Sequence, residues 1–189
     1  MFNIGDEIVY PMHGAGKITA IEEKDILGEK QSYYILEMPG AVKVMVPIEK
    51  AEQVGVRSII DKTSADKVFN LLSQDETEMD KNWNKRYRDN MEKIKSGDIY
   101  EIADVVRNLS FKQKEKGLST GEKKMLVNAK QILVSELVLA EKSSKEDMEE
   151  LIESKINNSF MLFRGNDQIK ESVVEKFIPF DGAATAHNK

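Results

Sequence analysis

The spacing of apolar residues changes once along this chain, near Thr63, and that change divides it into two architectures. Before it, the runs Glu7–Tyr10, Lys17–Glu22, Ser32–Glu37 and Val42–Pro47 are rich in Val, Ile and Tyr. Val42, Val44 and Val46 alternate with Lys43 and Met45, the period of two expected of a half-buried strand. Turn residues separate the runs: Pro11 with Gly14 and Gly16, then Asp25 to Gly28, then Pro39-Gly40. So short a set of strands has to curl to bury one face, which predicts a small SH3-like or Tudor-like β-barrel over residues 1–54.

After Thr63 the steps are of three and four. Val68, Leu71 and Leu72 share one helix face; Ile99, Ile102, Ala103, Val106 and Leu109 share another; Met125, Ala129, Ile132, Leu133 and Leu137 a third. Thr63…Asp66, Thr77…Asp80, Asp98…Glu101, Ser119…Glu122 and Ser144…Asp147 each place a capping oxygen three residues before an acid. These signals predict helices over 64–74, 78–95, 98–115, 120–142 and 145–158, with Gly97 and Gly117 in the breaks. The expected fold is α+β in two domains: the barrel (1–54), a connector (55–62), an all-α bundle of about five helices (63–158), and an extension (159–189) containing a short helix near Gln168–Phe177.

The chain has no cysteine, which excludes disulfides, thiolate metal sites and a Cys nucleophile. Its two histidines, His13 and His187, argue against a multi-histidine metal centre. MFNIGDEIVY puts acids where a signal peptide needs cations, and no run approaches the roughly 18 apolar residues of a membrane span. A cytoplasmic protein without membrane contact is expected. Gly117-Leu-Ser-Thr-Gly121-Glu122-Lys123 has the wrong glycine spacing for a phosphate loop and reads as a capping box. His13 has no nucleophile or orienting partner beside it in sequence. The expectation is a non-enzyme with no catalytic residues, metal, cofactor or small-molecule substrate.

The net charge of -5 conceals an asymmetry. Residues 80–130 hold 13 basic and 8 acidic side chains, whereas residues 1–54 hold 5 and 9. Within that basic block, Lys81-Asn82-Trp83-Asn84-Lys85-Arg86-Tyr87-Arg88 sets the only Trp among four cations. On a helix Trp83 and Tyr87 share a face, and Lys81, Lys85 and Arg88 form a neighbouring stripe. A basic stripe suits backbone phosphates, and an aromatic ring beside it suits stacking or wedging at a distorted base step. Lys123 and Lys124, at a helix start where the dipole disfavours cations, are further phosphate candidates. The competing interpretation makes Trp83 a core anchor and the cations ordinary solvated surface.

GDEIVYPMHGAGKITAIEEKDILGEKQSYYILEM and VPIEKAEQVGVRSII resemble the polymerase-interacting domain of CarD/CdnL transcription regulators. NWNKRYRDNMEKIKSGDIYEIADVVRNL and GLSTGEKKMLVNAKQILVSELVLA resemble that family's helical DNA-binding domain, and the likeness covers about residues 1–158. Transcription-repair coupling factors carry a module similar to the first half alone. The resemblance implies that the barrel pairs with the RNA polymerase β subunit through Lys24 and the strand Val42, Lys43, Val44, Met45 and Val46. Some relatives have arginine where this chain has Met45, so an apolar contact replaces a charge pair there. It also implies that Trp83 is a wedge at the upstream edge of melted promoter DNA, with Lys85, Arg86, Arg88, Lys123 and Lys124 as backbone contacts. DNA binding is then weak and largely sequence-independent, and the outcome is a longer-lived open complex. The alternative is an adaptor that links polymerase to a second protein and does not touch DNA.

Overall fold

Four strand runs and a short fifth pair into one antiparallel sheet. The computed structural model describes residues 1–176, with side chains through residue 165. The strands are β1 (Glu7–Tyr10), β2 (Gly14–Ile26), β3 (Glu29–Met38), β4 (Val42–Pro47) and β5 (Arg57–Ser58), in the order β4-β3-β2-β1-β5. Leu27 (φ 58°) and Gly28 (φ 85°) both take the left-handed conformation that a two-residue hairpin needs, which lets β2 and β3 pair up to Ile26↔Glu29; a bulge at Thr19 shifts the register between Ile18 and Ala20. Ile8, Ile18, Tyr34, Leu36, Val46, Ala51 and Val56 form the core of this domain. The expected connector is partly sheet: Arg57 and Ser58 pair with Val9 and Ile8. Two paired residues carry too little alternation to stand out in sequence.

The register sorts the faces. Ile18, Leu36 and Val44 form one cross-strand row, with Ile18 and Leu36 in the core; Ala20, Ile35 and Met45 form the next row, on the opposite face. Lys24↔Gln31 and Glu37↔Lys43 have the same parity as Ala20↔Ile35↔Met45, so Lys24, Lys43 and Met45 share the outer face. β4 lies at one end of the ladder.

The helices are α1 (Lys62–Leu72), α2 (Trp83–Lys95), α3 (Ile99–Glu115), α4 (Thr120–Glu141) and α5 (Lys145–Lys176). Their joint core runs from Ala65, Val68 and Leu72 through Ile102, Val106 and Leu109 to Leu133, Leu137 and Ile156. Asp98, Ser119 and Ser144 cap their helices as the spacing predicts. Two predicted starts move. α1 is capped by Asp61, which accepts from the Ser64 N–H at 2.8 Å, and not by Thr63. α2 begins at Trp83 under an Asn82 cap, five residues after the predicted start, because Thr77 bonds to α3 instead of capping α2. Its hydroxyl donates to Asp104 at 3.0 Å and its N–H to Asn108 at 3.1 Å. α5 does not end at residue 158 but continues to Lys176, which replaces the short helix expected near 168; the GAATAHNK end lies outside the described residues.

Sheet and bundle meet across buried polar bonds. Glu136 of α4, 1% exposed, accepts both terminal nitrogens of Arg57 (2.6 and 2.9 Å) and the Ile60 N–H (3.0 Å). Arg57 also donates to the Gly97 carbonyl at 2.7 Å. Ser135, one residue earlier, accepts from the Ala15 N–H at 2.8 Å. Gly14 (φ 106°) lies so close that a Cβ there would be 2.5 Å from the Ser135 hydroxyl. The two domains therefore meet at Ser135 and Glu136 of α4, with a further bond from Arg57 to Gly97 between α2 and α3.

Candidate nucleic-acid interface

Trp83 sits where the start of α2 meets the start of α4. The helix begins there because Asn82 is in extended conformation and its side chain accepts from the Lys85 N–H. The indole N–H donates to Ser119 Oγ at 3.0 Å, and the ring stacks on Tyr87, one turn on, at 5.5 Å between centroids and 29° between planes. Gly121 lies beside both rings: a Cβ there would stand at ordinary contact distance, 3.4 Å from Tyr87 and 3.8 Å from Trp83. The ring is 43% exposed and lies outside the helical core. It is thus held in place on one side and open on the other.

Arg86 has a different position from the one its sequence neighbours suggest. It is 8% exposed, and its Nε donates to Glu122 Oε1 at 2.8 Å while Nη1 donates to the carbonyls of Asp80 (2.9 Å) and Lys81 (3.3 Å). Expected among the phosphate contacts, its guanidinium instead faces inward and binds α2 to α4. Glu122 closes the capping box: it accepts from the Ser119 N–H at 3.1 Å, and Ser119 Oγ accepts from the Glu122 N–H at 3.2 Å. Burial acts to raise the Glu122 pKa, but the Ser119 bonds and the Arg86 guanidinium outweigh it and hold the carboxyl below its ordinary value. One hydroxyl, Ser119, therefore caps α4 and fixes the indole.

The remaining predicted cations are on the surface. Lys85 bonds Asp80 at 2.7 Å, which raises its pKa and lowers that of Asp80. Arg88 is exposed one turn along α2 from Asn84 and Lys85. Lys123 and Lys124 are exposed in the first turn of α4, two and three residues after Gly121. The arrangement can offer an anion two or three mobile ammonium and guanidinium groups around one fixed aromatic face. The contributions of Ser119 and Glu122 are invisible in the sequence as interface residues, because each lies 36 residues from the residue it holds. The capping-box spacing was the available signal, and it points to helix initiation only.

On the sheet, Val42 and Met45 are exposed, Lys43 is exposed, Val44 is half-buried and Val46 is in the core. Lys24 pairs with Glu22 at 2.7 Å. Val46 can therefore take part in an edge contact only through its backbone. His13 stacks on Tyr10 at 4.4 Å between centroids. Among the described residues no group of three or more His, Asp or Glu side chains is placed to hold a metal ion, and no helix is long and apolar enough to cross a membrane.

Residues 2–60 match the CarD-like/TRCF RID domain, and residues 67–153 match the CarD C-terminal domain. A protein of Bacillus subtilis (strain 168) named "Putative transcription factor YdeB" is 46% identical over 138 residues, which cover 72% of this chain and 90% of that relative. With both domain types matched in order and a relative aligned over most of its length, this chain belongs to the CarD/CdnL family of transcription regulators.

Proposed function

We propose that the protein binds the RNA polymerase β subunit and promoter DNA together and stabilises the open complex without catalysing a reaction. The sheet supplies the tether. β4 at the end of the ladder offers backbone N–H and C=O groups to a partner strand, and the outer face beside it carries Lys24, Lys43 and the apolar Met45. Tethering raises the effective concentration of the helical domain at the promoter, so its own affinity for DNA can be low. Lys85, Arg88, Lys123 and Lys124 contact phosphates at the upstream edge of the melted region, and Trp83 packs against the exposed base step there and opposes reannealing.

The single observation that carries this proposal is the placement of Trp83. An exposed indole, immobilised by Ser119 and Tyr87, loses little conformational entropy when a base stacks on it. Arg86 serves as a positioning residue through Glu122. The adaptor alternative predicts that charge reversal at Lys85 and Arg88 leaves a polymerase–promoter footprint unchanged. In the direct test, Trp83→Ala retains polymerase binding and shortens open-complex lifetime about tenfold, the loss of one stacking contact. An unaltered lifetime refutes the wedge.

A further inference from the structure

α5 continues past residue 153, where the match to the CarD C-terminal domain ends, and it returns to the segment that precedes Trp83. Phe160 of α5 packs edge-on against the buried Phe111 of α3 at 5.3 Å between centroids. Arg164, one turn on, lies over the Phe111 ring at 5.6 Å. Its three nitrogens reach three carboxylates: Nε donates to Glu115 at 2.5 Å, Nη1 to Asp75 at 3.1 Å and Nη2 to Glu76 at 2.6 Å. Ser159 donates its hydroxyl to the Gln74 carbonyl at 2.7 Å. Arg164 is 24% exposed, and its pKa is raised above the usual value: burial opposes the shift and the carboxylates of Glu115 and Glu76 outweigh it.

Asp75 and Glu76 belong to the α1–α2 connector, whose course then passes Thr77, held by Asp104 and Asn108, and Asp80, held by Lys85 and by its carbonyl bond from Arg86. The connector ends at Asn82, the cap of the helix on which Trp83 is the first residue. It carries four acids, Asp75, Glu76, Glu78 and Asp80, close to a surface that would face phosphate. Unneutralised, Asp75 and Glu76 repel both each other and the DNA.

We propose that Arg164 is a positioning residue for Trp83: it clamps the α1–α2 connector to α3 and α5, fixes the start of α2, and cancels acidic charge beside the DNA-facing surface. This rests on the proposed wedge role for its functional consequence, but the positional part has a readout independent of DNA. Trp83 is the only tryptophan, so indole emission reports on this one site.

The experiment uses the full chain, with Arg164→Gln, Arg164→Lys and, from the connector side, the double variant Asp75→Asn/Glu76→Gln. Far-UV circular dichroism establishes that each is folded. The result expected is a shift in Trp83 emission and about a twofold rise in acrylamide quenching for Arg164→Gln. Lysine keeps the charge but not the fork, so Arg164→Lys falls between this and the wild type. The connector variant reproduces the Arg164→Gln change, and this arm stands if Arg164→Gln does not fold. Unchanged emission and quenching in a folded Arg164→Gln or connector variant overturn the clamp. Open-complex lifetimes are read beside Trp83→Ala. If Trp83→Ala shortens the lifetime and Arg164→Gln does so by about threefold, the functional part stands. If Trp83→Ala shortens it and Arg164→Gln does not, that part is overturned while the wedge survives. If neither shortens it, the wedge itself fails and the functional part falls with it, whereas altered quenching still supports the clamp.

Discussion

Glu136 is the residue whose neutralisation tests the domain junction most directly. Its carboxylate is 1% exposed and accepts two bonds from Arg57 and one from the Ile60 N–H. Glutamine fills the same volume but has one acceptor oxygen, so Glu136→Gln leaves at least one Arg57 nitrogen facing an amide N–H. Breaking a fully buried pair from one side costs about 3–5 kcal/mol. The Arg57 side chain is 33% exposed, so solvent compensates in part and about 2–3 kcal/mol is the reasonable figure. For a chain of this length each kcal/mol lowers Tm by about 2–4 °C, which gives a fall of about 4–12 °C.

A double-mutant cycle isolates the pair. Arg57→Met keeps the apolar stem and removes the fork, and the cycle with Glu136→Gln, read by urea unfolding, should give a coupling of about 2 kcal/mol. Because the same bonds join sheet and bundle, Glu136→Gln should also split the thermal transition in two, as the domains cease to unfold together. A coupling below about 0.5 kcal/mol, with a single unsplit transition, refutes the reasoning and assigns the domain union to apolar packing alone.

Acid should loosen the wedge platform through Glu122. Its folded pKa is depressed, so its contribution is complete above the ordinary glutamate range and is lost as pH falls through the depressed value; Arg86→Met removes one cause of the depression and should move this acid loss to higher pH in urea-midpoint profiles. Gly14→Ala should destabilise by about 2–4 kcal/mol and Gly28→Ala by only about 1, since both have positive φ but only Gly14 faces the Ser135 hydroxyl; equal costs in urea titrations would contradict the close approach. Lys123→Ala with Lys124→Ala should reduce the salt dependence of DNA binding by about two in slope while leaving sequence preference unaltered, measured by fluorescence anisotropy across salt concentrations.

What could be read from the residues in advance follows the range of the interactions. Asp98, Ser119 and Ser144 announce helix starts because a cap and its target are three residues apart. Thr77 has the same spacing to Asp80, yet Asp104, 27 residues away, captures its hydroxyl. No local pattern can weigh that competition. Arg86 is the parallel case at the candidate site: among four cations it looks solvated, but a carboxylate 36 residues on turns it inward. Trp83 was legible as a candidate because a lone indole among cations is unusual in composition. Its exposure was not, since an anchor in the core and a platform on the surface have the same helical phase. α5 shows the limit from the other side. Its turn from Phe160 to Arg164 is held by Phe111 and Glu115 of α3, and the sequence after Phe160 lacks the apolar period that would signal a helix.

The two surfaces proposed to act are tied to opposite parts of a single element. Ser119 and Glu122, at the start of α4, fix Trp83 and Arg86; Ser135 and Glu136, four turns later, fix the sheet through Ala15 and Arg57. An α-helix rises 1.5 Å per residue, so these anchor points are about 20 Å apart, and one face of the intervening turns, with Met125, Ala129, Ile132 and Leu133, is buried in the helical core. α4 is therefore a strut rather than a hinge. A protein tethered to polymerase through its sheet would deliver the indole at a fixed distance and orientation, without an entropic search by the helical domain. Under the proposed wedge role, looseness at the buried, bidentate Glu136–Arg57 pair would blur the position of Trp83 even with every residue around the indole intact.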